Sequence, residues 1–128
     1  MMYLAISFSV PLTTAQDFYL PVPKRGIVKG AKAVYSEETN TDETIDLLRD
    51  TTSVCLVTPP ATSTAEGVEI DGVPDTTNKD LVFDPDSDTA AYKRIKISTP
   101  NTFNTAGIAG LIIEYDPYVI EVEDPALA

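Results

Sequence analysis

The chain has 128 residues, 20 acidic and 9 basic side chains, no histidine, no tryptophan and one cysteine, for a formal net charge of -11. Without histidine there is no Ser-His-Asp or Cys-His pair and no imidazole metal ligand, and one cysteine makes neither an intramolecular disulfide nor a zinc knuckle. The acidic balance argues against a nucleic-acid partner, which needs a basic face, and no apolar run approaches the roughly 20 residues of a membrane-spanning helix.

A chain of this length is expected to form one domain, spanning 1–128. Its charge is uneven. Residues 1–35 hold Lys24, Arg25, Lys29 and Lys32 against Asp17 alone. Residues 36–91 hold 14 acidic side chains against Arg49 and Lys79, a local balance of -12. The early basic island reads either as a strand edge kept soluble by lysine or as a docking patch for an acidic partner.

The first predicted element is a strand over 3–10, where Leu4, Ile6, Phe8 and Val10 alternate with small or polar residues. That alternation, and the lack of a basic leader, reads as mature protein rather than a signal peptide. Asp17 to Pro23 is extended. Pro21 and Pro23 make it an edge strand, or one that leaves the sheet at Pro21. Lys24-Arg25-Gly26 is a turn, and Ile27 to Tyr35 is a third strand, with Gly30 predicting a bulge or a close backbone approach.

Ser36 to Thr44 is an acidic loop. Residues 45–50 and 53–57 are short strands about a turn at Thr51-Thr52. Thr58 to Asn78 is irregular, with a short strand at 67–70 and a turn at Asp71-Gly72. Asp80 to Phe83 is a brief apolar run. Tyr92 to Ser98 alternates as a strand. Ile108 to Tyr115 is the most hydrophobic strand, expected at the centre of a sheet and ended by Asp116-Pro117. Tyr118 to Val122 is a possible last strand.

Seven to nine short strands, no amphipathic helix of ten residues, and 16 threonines predict an all-β fold. The expected form is an antiparallel, jelly-roll-like β-sandwich.

Chemistry-bearing clusters are few. Asp84, Asp86 and Asp88 alternate as a calcium loop begins. The sixth position is Thr89 and the twelfth is Ile95, which excludes an EF-hand and leaves only a looser calcium site beside an ordinary Asp/Pro turn. Glu37, Glu38, Asp42, Glu43, Asp46 and Asp50 read as a solvated loop rather than a two-carboxylate hydrolase. No glycine-rich phosphate loop is present. Cys55, in an apolar run with no basic neighbour in sequence, is expected to be an inert buried side chain. No cofactor is expected. Phe18, Tyr19 and Tyr118 are candidate interface aromatics beside a core-packing role.

The strand Tyr3-Leu4-Ala5-Ile6-Ser7-Phe8-Ser9-Val10, the segment Asp17-Phe18-Tyr19-Leu20-Pro21-Val22-Pro23 with its basic turn, and the stretches at 74–78, 80–85 and 108–115 together resemble the small head decoration, or cement, proteins of tailed bacteriophages. The resemblance covers nearly the whole chain but contains no ligand motif. It implies a non-catalytic virion protein on the outer capsid surface, often trimeric, clamping neighbouring major capsid subunits. Residues 1–23 and 117–128 are then candidate interface segments. The basic residues Lys24, Arg25, Lys29 and Lys32 are candidates to meet the acidic middle of an adjacent copy. The alternative is a carbohydrate- or receptor-binding sandwich of a fibre or adhesin, with Tyr118 or Tyr35 as its stacking platform.

Overall fold

A computed structural model describes residues 1–10, 14–37, 43–59, 65, 67–100 and 107–117. Ten strands lie among them: β1 Met2–Val10, β2 Gln16–Pro21, β3 Gly26–Tyr35, β4 Ile45–Arg49, β5 Thr52–Val57, β6 Ile70–Asp71, β7 Val73–Pro74, β8 Val82–Phe83, β9 Arg94–Thr99 and β10 Gly107–Pro117. A single 3-10 turn spans Ala90–Tyr92. The strand count exceeds the expected seven to nine because β6, β7 and β8 are two-residue pairings. Such short bridges are too brief to leave a period in the sequence.

The strands form two antiparallel sheets. The first runs β1-β10-β3-β6, with β8 also pairing β3; the second runs β2-β9-β4-β5-β7. With the two-residue strands β7 and β8 set aside, eight remain. Their order is first-eighth-third-sixth in one sheet and second-seventh-fourth-fifth in the other, so every long connection crosses from sheet to sheet. This is the jelly-roll order of two interlocked Greek keys.

The core follows from period-two alternation. From the first sheet, Ala31, Ala33 and Tyr35 of β3 and Ala109, Leu111, Ile113 and Tyr115 of β10 point inward. From the second come Ile45 and Leu47 of β4, Cys55 and Val57 of β5, and Ile95 and Ile97 of β9. The small alanines of β3 leave room for bulky side chains from the facing layer, which keeps interior density high. As expected, β10 is central: it pairs with β1 on one side and β3 on the other.

The bulge expected near Gly30 is present. Glu114 pairs with Gly30 but Tyr115 pairs with Val28, so Lys29 is the extra residue. β2 is an edge strand whose last paired residue is Pro21, opposite Arg94; the Val22 amide still donates to the Lys93 carbonyl at 3.0 Å, and the missing N–H of Pro21 falls on the open side of the strand. Three boundaries differ from expectation. The short strand read at 67–70 is Ile70–Asp71, so Asp71 pairs with Lys32 rather than starting a turn. The hairpin between β4 and β5 turns at Asp50-Thr51, with Arg49 pairing Thr52 and Asp50 at φ 59°. β10 runs on through Pro117, because Asp116 and Pro117 still pair with Ile27 and Gly26. The last strand read at 118–122 lies outside the described residues, as does nearly all of the interface segment at 117–128.

Candidate interaction surface

The two outward faces of the sandwich differ. In the second sheet, alternation turns Asp17 and Tyr19 of β2, Asp46 of β4, and Arg94, Lys96 and Ser98 of β9 outward. These groups satisfy one another. Ser98 Oγ donates to Asp17 Oδ1 at 2.6 Å, Lys96 Nζ lies 3.7 Å from Asp17 Oδ2, and Ser53 Oγ donates to Asp46 Oδ1 at 2.6 Å. The Arg94 guanidinium sits 4.6 Å above the Tyr19 ring. This part of the face is polar; on its far side Leu56 of β5 and Val73 of β7, paired in register, stand 41% and 69% exposed.

The first sheet is different. Its register sets Ala5 beside Ile112 and Ile112 beside Lys32; the next row is Ser7, Gly110 and Val34. Tyr3, Ile108 and Ile112 stand 66%, 57% and 44% exposed on this side. Between them lies a shallow depression of roughly 310 Å³, bordered by Ala5, Ser7, Lys32, Val34, Gly110 and Ile112. Gly110 forms part of its floor. Charge is confined to the rim, where Lys32 Nζ is 3.7 Å from Glu69 Oε2 and Glu114 lies beside Tyr3. An apolar centre with a polar rim is the anatomy of a protein interface.

Ile108 and Ile112 were not among the residues singled out from sequence. The signal was present: Ala109, Leu111, Ile113 and Tyr115 share one phase, so Ile108 and Ile112 must take the other face. Reading the segment as a continuous hydrophobic strand hid that second phase.

The basic island meets the acidic middle within one molecule. Arg25 Nε donates to Asp84 Oδ2 at 2.9 Å, and Lys32 pairs with Glu69. Lys79, through a hydrogen bond, holds the Asp80 carboxyl below its usual range, and the charge of Lys29 adds to this. Lys24 is exposed at the turn between β2 and β3. Phe18 stacks on Phe8 with centroids 5.2 Å apart, joining β2 to β1 across the sandwich. Tyr19 is half-exposed. Tyr118 lies outside the described residues.

Asp84 is buried and committed to the fold: besides Arg25, its Oδ1 accepts from the Asp86 amide at 2.9 Å. Asp88 is exposed. Among the described residues no group of three or more Asp, Glu or Cys is placed to hold a metal ion. Cys55 is fully buried, and burial, aided by the carboxylates of Asp46 and Glu114, pushes its thiol up to about 11. It is a core side chain held as the neutral thiol, as its apolar run predicts. Tyr35 is also buried, with its hydroxyl donating to the Glu43 carbonyl and its pKa raised chiefly by burial. A ring placed there cannot stack on a sugar.

No protein-family model matches the chain, and no curated protein matches it.

Proposed function

We propose that the protein is a non-catalytic structural component of a phage virion, which decorates the capsid by laying the outward face of its first sheet on the shell. The observation that carries this reading is the apolar depression on the outward face of the first sheet, with Tyr3, Ile108 and Ile112 exposed around it and charge only at its rim. A clamp works through contact area and shape rather than through reacting groups, so it needs neither a cleft with paired acids nor a metal. Jelly-roll sandwiches occur in capsid and lectin domains alike, so it is the outward face of the first sheet, not the fold, that favours the capsid role.

The binding partner in this reading is the major capsid protein, met on the outer surface of neighbouring subunits. A carbohydrate-binding role has less support, because Tyr35 is buried. The test is sedimentation of the purified chain with empty shells of the phage that carries its gene. Saturable co-sedimentation is expected. A chain that stays in the supernatant at every shell concentration overturns the proposal.

A further inference from the structure

A β-sandwich has four sheet edges, and each exposes unpaired backbone N–H and C=O groups. Natural proteins blunt such edges with short strands, charge, proline or bulges. Three edges here follow that practice. The far side of β3 is covered by the two-residue strands β6 and β8. The far side of β5 is covered by β7, which is two residues long and ends in Pro74. β2 carries Asp17 and ends in Pro21. Among the described residues nothing pairs with the outer side of β1, and the strand itself has none of these devices. It is nine residues long, paired without interruption to β10, and contains no charge, proline or glycine.

We propose that β1 pairs edge to edge with β1 of a second copy, antiparallel about a two-fold axis at Ile6, so that the first sheets of two molecules join into one. The strand is its own complement in that register. Tyr3 meets Ser9, Leu4 meets Phe8, Ala5 meets Ser7, and Ile6 meets Ile6, so inward residues face inward ones and outward residues face outward ones. Two copies that each carry a net charge of -11 repel one another over most of their surface. β1 is a long neutral strip through which they can approach. Met2, Leu4 and Ile6 pack against the core yet are only partly buried; among the described residues β10 flanks them on one side only. The partner's β1 supplies the missing flank and continues the core. An antiparallel self-pairing closes at two copies, not at the three that the family resemblance implies. The pairing concerns the chain alone and does not depend on a capsid.

The test is the mass of the full chain in solution, against 13.8 kDa for one copy. The wild-type chain is expected to sediment as a dimer. Ala5→Lys combined with Ser7→Lys opposes like charges twice across the two-fold axis and is expected to weaken the dimer by about ten-fold or more. Ala5→Lys combined with Ser7→Glu puts charges at the same exposed positions but opposes unlike ones, and the dimer is expected to persist. Circular dichroism confirms that both variants fold. A wild-type monomer or trimer overturns the proposal. So does a dimer that ignores both pairs of substitutions, or one that both pairs dissociate alike.

Discussion

The hydroxyl of Tyr115 donates to the backbone carbonyl of Lys24 at 2.6 Å, across 91 residues of chain. The same hydroxyl lies 3.4 Å from the carbonyl of Phe83. The Tyr115 ring is fully buried, so one side chain near the end of β10 ties down both the turn before β3 and the strand β8. Arg25 and Asp84, each one residue beyond those two carbonyls, form the ion pair of the same corner. The corner therefore orders the edge of the first sheet opposite to β1.

Removing the hydroxyl tests the first link. Tyr115→Phe leaves the ring in place and removes the donor of the part-buried bond to the Lys24 carbonyl. A loss of about 0.5–1.5 kcal/mol is expected, the net worth of one such bond. Urea unfolding monitored by circular dichroism measures it. An unchanged midpoint would mean that the tyrosine contributes packing alone.

Gly26 tests the same corner from the backbone side. A β-carbon at this position would run into the carbonyl oxygen of Asp116 and lie 2.9 Å from Pro117 Cα and from Tyr115 Cε2. Two of the three obstacles are backbone, which cannot swing away. Gly26→Ala is expected to cost about 1–3 kcal/mol through overpacking. Gly110→Ala is the control, because its nearest obstacle, the Val34 carbonyl oxygen, is 3.6 Å away. Thermal melts should separate the two variants; equal melting temperatures would count against the tight crossing of β3 and β10.

Asp46 sets a pH dependence. Partial burial raises its carboxyl above the ordinary 3.8, and the Ser53 hydroxyl bond opposes that shift without cancelling it. The folded state therefore holds the proton more tightly than the unfolded chain does. The stability tied to this proton is fully present below 3.8, falls as pH rises through the raised value, and is absent above it. Asp46→Asn keeps an oxygen for Ser53 and removes the titration. The variant is expected to melt above the wild type at about pH 7 and to match it at about pH 3. A wild-type advantage at neutral pH would reverse the assigned sign.

Much of the architecture was legible because alternation survives in the long strands. Leu4, Ile6 and Phe8 mark β1, Ile95 and Ile97 mark β9, and Pro21 marks where β2 ends. Gly30 located the bulge to within one residue. The two-residue strands were not legible, since a pairing of Ile70 with Ala33 or of Phe83 with Gly26 depends on partners far along the chain. Charge was legible as a balance but not as a set of contacts. The basic turn reads in sequence either as a soluble strand edge or as a docking patch, and neither reading shows that Arg25 is held by Asp84, 59 residues away. The interaction face was the hardest to read. Ile112 is as apolar as its buried neighbours Leu111 and Ile113, and only its phase distinguishes it.

That phase supplies the most direct test of the proposed role. Ile108→Asp combined with Ile112→Asp places two carboxylates at the centre of the outward face. Both positions are exposed, so the fold should be little affected. The measurement is co-sedimentation with empty shells, with the wild-type chain and the variant compared at equal concentration. The account predicts saturable binding of the wild type and a loss of about ten-fold or more in affinity for the folded variant. Equal binding of the two chains would place the docking surface elsewhere, and no binding by either would contradict the decoration role itself.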